Sequence, residues 1–290
     1  MKYTYYPGCS LEKTQRGYDE SVRAIFRALD QELVEIDDWN CCGATMYMSV
    51  QETVSLAVSA RNLAIGEQMG HDIIAPCSSC YTVLLKTGKI LNEIPELHRN
   101  VNEALAEAGL NYAGTARVRH PLDVLMNDIG LDAIRQKVKQ NLNGLRIAPY
   151  YGCQIVRPDK TFDDKENPVL MDTMFRACGA ETVYFPMKVR CCGGMLMTTF
   201  EETALHLNKE LLECAQTNGA DAIVTTCPLC HINLEAYQDK INAKFQTQLN
   251  IPILYFTQLL GIALGLSEKT IGLDSAFIPM GTKITSLVHA

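Results

Sequence analysis

The chain has 290 residues, 47% of them hydrophobic and 20% charged, enough for one large or two ordinary domains with a buried core. That balance excludes a disordered polymer. Its 26 basic residues are outnumbered by 33 acidic ones, for a net charge of -7, and no dense basic stripe is present to neutralise a phosphate backbone, so no nucleic-acid partner is expected.

The opening "MKYTYYPGCS" lacks the apolar core of a secretory signal, and a cytoplasmic protein is expected. Runs of strand length follow in chain order at "KYTYY" (2–6), "ELVEID" (32–37) and "HDIIAP" (71–76), with a segment of helical period from Glu52 to Met69. A second series has "LRIAPYY" (145–151), "ETVYF" (181–185), a helical segment from Glu201 to Gln216, "DAIVTT" (221–226) and "IPILYF" (251–256). The apolar stretch from Ile251 to Leu266 is shorter than the roughly 20 residues of a spanning helix. It also contains Pro252, Thr257 and Gln258, and reads as a buried strand running into a core helix, with no membrane span. Alternating strands and helices predict an α/β fold of two pseudosymmetric duplicated domains, each a small mostly parallel sheet flanked by helices.

The twelve cysteines carry the repeat. Setting aside Cys178 and Cys214, the others form two series of the same kind: Cys9, Cys41-Cys42-Gly43, Cys77-x-x-Cys80, and then Cys153, Cys191-Cys192-Gly193, Cys227-x-x-Cys230. In each, 34 residues lie between the Cys-Cys pair and the Cys-x-x-Cys, and the flanking sequence aligns without a gap from "DWNCCG" and "KVRCCG" onward. "RHPLDVLMNDIGL" and "LYFTQLLGIALGL" close the two copies. The boundary is expected near 141–144, giving a first domain 1–143 and a second 144–290 with a C-terminal tail.

Cys9, Cys77, Cys153 and Cys227 each follow a predicted strand, so parallel sheets gather five thiols per half at the strand carboxyl ends, where α/β folds bind ligands. Gly8, Gly43, Gly152, Gly193 and Gly194 permit tight turns and close backbone approach. A helix starting just after "CSSC" or "CPLC" would aim its positive end at the thiolates. In a reducing compartment this pattern means metal ligation or thiol chemistry. Zinc prefers four ligands, commonly from two paired motifs, whereas an iron-sulfur cluster lets adjacent cysteines reach different irons. Metal-free thiol redox chemistry is a third reading.

The two complete cysteine series, with "YYPGCS", "APCSSC", "RHPLDVL", "VRCCGG" and "TTCPLCH" around them, resemble the paired CCG motifs of the heterodisulfide reductase B subunit family. The resemblance spans nearly the whole chain. It implies two noncubane 4Fe-4S clusters, one held by Cys9, Cys41, Cys42, Cys77 and Cys80, the other by Cys153, Cys191, Cys192, Cys227 and Cys230. It also implies a catalytic subunit that reduces a disulfide, such as that of coenzyme M and coenzyme B, to two thiols. A small ferredoxin-like C subunit would be the electron donor, with a flavin-containing A subunit behind it in the same complex. Alternative roles are a bacterial relative acting on another small-molecule or protein disulfide, thiol oxidation in sulfur metabolism, and a non-catalytic electron relay. No GxGxxG dinucleotide fingerprint is present, so electrons are expected from elsewhere.

The differences between the copies supply further candidates. His231 follows Cys230 where the first copy has Tyr81, and is a candidate proton donor or hydrogen-bond partner; a packed histidine is the plainer reading. Lys188 and Arg190 precede the second Cys-Cys pair, where the first copy has Asp38 and Asn40, and are candidates for a positive cleft wall. His120 is a candidate cleft residue, although the turn before Pro121 also explains it. Cys178 and Cys214 are expected to fill helical core positions. Glu52, Thr53, Glu202 and Thr203 are expected on solvated helix faces. The tail from Gly272 is too short for a domain, and is expected to pack on a partner subunit or stay mobile.

Overall fold

The eight strands among the described residues all run parallel, four to a sheet. The structure is a computed structural model and describes residues 1–44, 51–157 and 162–289. The first sheet has β1 (Lys2–Tyr5), β2 (Glu32–Glu35), β3 (Ile73–Ile74) and β4 (Val118–Arg119) in the order β2-β1-β3-β4. Its helices are α1 (Cys9–Glu12), α2 (Arg16–Ala28), α3 (Glu52–Gln68), α4 (Ser78–Glu93), α5 (Pro95–Ala106), α6 (Pro121–Val124) and α7 (Leu131–Lys137). The second sheet has β5 (Arg146–Tyr150), β6 (Glu181–Thr182), β7 (Ala222–Thr225) and β8 (Ile253–Tyr255), and its order β6-β5-β7-β8 repeats the first. Its helices are α8 (Leu170–Ala177), α9 (Leu196–Thr199), α10 (Glu201–Thr217), α11 (Pro228–Glu235), α12 (Gln238–Phe245), α13 (Phe256–Ala263) and α14 (Thr282–Val288).

Residue type explains the layering. β7 and β8 are buried at every position and read as continuous apolar runs, as strands covered on both faces must. β2 places Glu32 and Glu35 on an exposed edge, which discourages pairing with another chain. β4 is absent from the sequence expectation because it is two residues long and half of it is an arginine. Arg119 is nonetheless 4% exposed, because Asp123 meets its Nε at 2.6 Å and Asp128 its Nη1 at 2.7 Å. The expected strand and core helix at Ile251–Leu266 are β8 and α13, and every residue of α13 is buried. No helix among the described residues is long and apolar enough to cross a membrane.

The halves join through α2, which packs on α13. Tyr18 of α2 stacks on Tyr255 with ring centroids 4.0 Å apart, and Tyr255 stacks on His231 at 4.2 Å. Each such pair contributes about 0.5–1.5 kcal/mol beyond the burial of its surface. Ser21 and Thr257 hydroxyls meet at 2.6 Å across the same junction, and Tyr255 donates to Gln15 at 2.5 Å. The tail packs on its own chain. Gln258 donates to the Gly272 carbonyl at 3.0 Å, Phe277 N–H donates to Glu235 at 3.1 Å, and Ile284 is fully buried.

Candidate functional site

The carboxyl ends of β1, β3, β5 and β7 share one region of the molecule, and the cysteines enter it there. In the first half a three-residue turn carries the chain from Tyr5 to Cys9, and Ala75 and Pro76 lead from β3 to Cys77. Gly8 and Gly152, with φ of +75° and +69°, make the turns into Cys9 and Cys153. A Cβ at Gly8 would lie 3.1 Å from the Cys80 sulfur, and one at Gly152 would lie 3.2 Å from the Cys230 sulfur. Glycine is therefore needed twice over, for the backbone conformation and for room beside a thiol.

The helices begin earlier than the sequence suggests. Cys77 and Cys227 are the N-cap residues of α4 and α11, so Cys80 and Cys230 lie inside the first turn. A Cys-x-x-Cys pair then has both sulfurs near the positive helix end. The N–H groups of Leu229 and Cys230 face the Cys227 sulfur and favour its anion, without closing a well-aligned cap bond.

Each series comes together as a string of sulfur neighbours. Cys9 neighbours Cys41, Cys41 neighbours Cys42, Cys42 donates to Cys80 at 3.3 Å, and Cys80 neighbours Cys77. In the second half Cys153 pairs with Cys191, Cys192 with Cys230 at 3.3 Å, and Cys230 with Cys227. The two strings meet, because Cys77 and Cys227 are themselves within hydrogen-bonding reach. Cys9, Cys41 and Cys191 are exposed, Cys153 is half-buried and the other six are buried.

Electrostatics divides the protons unevenly. Hydrogen bonds from Cys42 and Cys9 hold the Cys41 thiol down at about 2, and those from Cys153 and the Gly193 N–H, at 3.3 Å, bring Cys191 to about 6. Their partners Cys9 and Cys153 are pushed up for the same reason, as is Cys42, to about 12. Each ionised sulfur obliges a neighbour to keep its proton, so the set becomes fully anionic only around positive charge. Among the described residues no three His, Cys, Asp or Glu side chains close round a point as ligands of one metal ion would. The thiols are strung out instead, which suits a multi-iron group whose irons take different ligands.

One tyrosine per half supports each Cys-Cys pair, a role that the sequence reading missed. Tyr6 donates to the Asn40 carbonyl at 2.8 Å and Tyr150 to the Arg190 carbonyl at 2.7 Å, each acceptor standing just before the pair. The repeat held the signal, since both tyrosines lie three residues before the first cysteine of their series. Beside the second set, a cavity of about 120 Å³ is lined by Ser78, Gln154, Leu229 and the cysteines.

The remaining candidates have other duties. Lys188 is buried, with Nζ 2.7 Å from Asp172 and 3.0 Å from the Pro168 carbonyl, so its charge is neutralised and not offered to a cleft. Arg190 is exposed and forms no ion pair among the described residues. His120 is fully buried; Nε2 meets the Pro76 carbonyl at 2.8 Å and Nδ1 accepts the Leu122 N–H. His231 is buried with Nε2 3.1 Å from the Ile253 carbonyl. Burial brings both imidazoles down to about 4, so both are neutral near pH 7. Cys178 is buried directly after α8, Cys214 is half-buried in α10, and Glu52, Thr53, Glu202 and Thr203 are exposed.

The model of the cysteine-rich domain called CCG matches residues 3–85 and again 147–235. The B subunit of the ferredoxin/F(420)H(2)-dependent CoB-CoM heterodisulfide reductase of Methanosarcina acetivorans is 32% identical to this chain, over 94% of this chain and 92% of that protein. The chain belongs to the heterodisulfide reductase B subunit family. Another relative, named as a protein like that B subunit and found in Archaeoglobus profundus, is 35% identical over 94% of both chains. The "8-methylmenaquinol:fumarate reductase membrane anchor subunit" of Wolinella succinogenes is 32% identical over 94% of this chain and 95% of its own length. A hypothetical protein from Helicobacter pylori has the same fold, with a TM-score of 0.78 at 16% identity over 97% of this chain. This heterodisulfide reductase homologue spans 52% of that longer protein.

Proposed function

We propose that this chain is the disulfide-reducing component of a heterodisulfide reductase-type complex, with two noncubane 4Fe-4S clusters as its redox groups. The observation that carries the reading is the meeting of two complete five-cysteine sets through Cys77 and Cys227. Cys9, Cys41, Cys42, Cys77 and Cys80 would hold one cluster, and Cys153, Cys191, Cys192, Cys227 and Cys230 the other. The boundary between the two cluster-binding units is placed at 143/144, just ahead of β5. The relatives' names, which call them subunits, support a complex of several subunits. In it, on our reading, electrons would come from a ferredoxin-like C subunit with a flavin-containing A subunit behind it.

Such clusters, when bound, supply one-electron steps and an iron that stabilises a departing thiolate. The chain does the rest. Gly8 and Gly152 let the backbone close on the sulfurs, the first turns of α4 and α11 favour negative charge, and burial keeps water from six of the ten sulfurs. Reduction of a disulfide takes two electrons and two protons and releases two thiols, a stoichiometry that suits two matched one-electron sites side by side.

A second reading, favoured by the Wolinella relative, is a relay component in a quinol-linked complex. Anaerobically purified protein should contain about eight irons and eight acid-labile sulfides per chain. Cys42→Ser or Cys192→Ser should each remove about half of them. Stoichiometric zinc without labile sulfide would refute the cofactor assignment. A paramagnetic signal that changes when a disulfide is added to oxidised protein separates the reductase from the relay.

A further inference from the structure

Two backbone carbonyls face each other where the halves meet. Pro76 O immediately precedes Cys77 and Thr226 O immediately precedes Cys227. Carbonyl oxygens crowded together repel unless a donor stands between them. The Tyr18 hydroxyl is that donor, 2.9 Å from Pro76 O and 3.0 Å from Thr226 O, and it is buried. Burial, with Cys77 and Cys227 alongside, pushes this phenol well up, so it keeps its proton and stays a donor.

Neighbouring groups reinforce the same two acceptors. Ser78, from the first half, lies 3.1 Å from both the carbonyl and the hydroxyl of Thr226, in the second. His120 Nε2 bonds Pro76 O at 2.8 Å. The phenol ring is fixed by its stack on Tyr255, so the hydroxyl has little freedom to leave.

We infer that Tyr18 is a positioning residue that pins Cys77 against Cys227 and thereby sets the spacing between the two cysteine sets. The inference deepens the reading of two redox centres acting on one disulfide, because the sulfur path between the sets runs through these two thiols. It assigns to a single hydroxyl the task of keeping that path closed.

The test uses the full chain carrying Cys80→Ser and Cys230→Ser, which leaves Cys77 and Cys227 as each other's remaining sulfur neighbours. Diamide then oxidises the two thiols to a cross-half disulfide, taking up their two electrons and two protons, and peptide mapping measures the rate. Tyr18→Phe should slow this by about tenfold or more, the scale on which small misplacements of reacting groups act. Tyr255→Phe, which keeps the ring stacked on Tyr18 and removes only the hydroxyl bonded to Gln15, should stay within about twofold of the parent. Equal rates with and without the Tyr18 hydroxyl, or equal slowing by both tyrosine changes, would overturn the assignment. Should Tyr18→Phe fail to fold, Ser78→Ala removes a second donor from Thr226 O and should slow the reaction in the same direction; an unchanged rate overturns the inference. Iron analysis of the unsubstituted chain is separate: absence of iron defeats the proposed cofactor and leaves the cross-linking result standing.

Discussion

Gly8→Ala isolates how much the cysteine site depends on space beside its sulfurs. Two costs combine at this position. At φ +75° and ψ +162° Gly8 lies in a region that only glycine occupies readily, so an alanine there loses about 1–3 kcal/mol to the backbone alone. Its Cβ would also sit 3.1 Å from the Cys80 sulfur and 3.3 Å from the Tyr6 ring, so those atoms must shift by a few tenths of an ångström. Gly130→Ala supplies the control, because Gly130 has nearly the same backbone, φ +82° and ψ +154°, and nothing within 4 Å of the added carbon. Urea and thermal unfolding should show Gly130→Ala losing about 1–3 kcal/mol, or roughly 2–12 °C for a chain of this size, with iron content unchanged. Gly8→Ala should lose more than this and also reduce the iron held by the first set. Matching losses in the two variants, with full iron in both, would refute the claim that the turn is shaped around Cys80.

Two further predictions concern buried groups. The folded-state value of His120, about 4, lies below its free value near 6.5, so its contribution is complete above pH 6.5 and is lost as pH falls toward 4. The loss is at most about 3 kcal/mol for this group, read as the difference in urea midpoints between the parent and His120→Gln across that window; His231, Glu235 and the other titrating groups are common to both proteins and cancel in the difference. Lys188→Met should cost about 3 kcal/mol, the low end for a broken buried pair because Arg176 still lies 3.9 Å from Asp172 and Tyr151 donates to it, whereas Arg190→Ala should change stability by no more than about 0.5 kcal/mol. Comparable effects at the two positions would contradict the placement of Lys188 in the core.

The cysteine series and the α/β alternation were legible because both repeat, and repetition survives any uncertainty about a single element. The order of the strands was not, since sheet order is fixed by how crossovers pack. β4 escaped notice because it is two residues long and Arg119 breaks the apolar pattern, although the compensating carboxylates lie only 4 and 9 residues on. Lys188 looked like a cleft cation because Asp172 is 16 residues away and the pairing is visible only in the fold. Tyr18 left no trace in the motifs, because its acceptors lie 58 and 208 residues distant.

The packing of α2 on α13 also bears on how the protein is made. All five cysteines of the first series have been synthesised by residue 80, yet the helix that covers α2 begins at Phe256. At typical elongation rates of about 5–20 residues per second, that interval lasts roughly 10–35 s. Throughout it the nascent first half exposes the apolar face of α2 and has no second-half partner for Cys77. Maturation of the two sites is therefore expected to wait until the second half has been synthesised and both halves can close together.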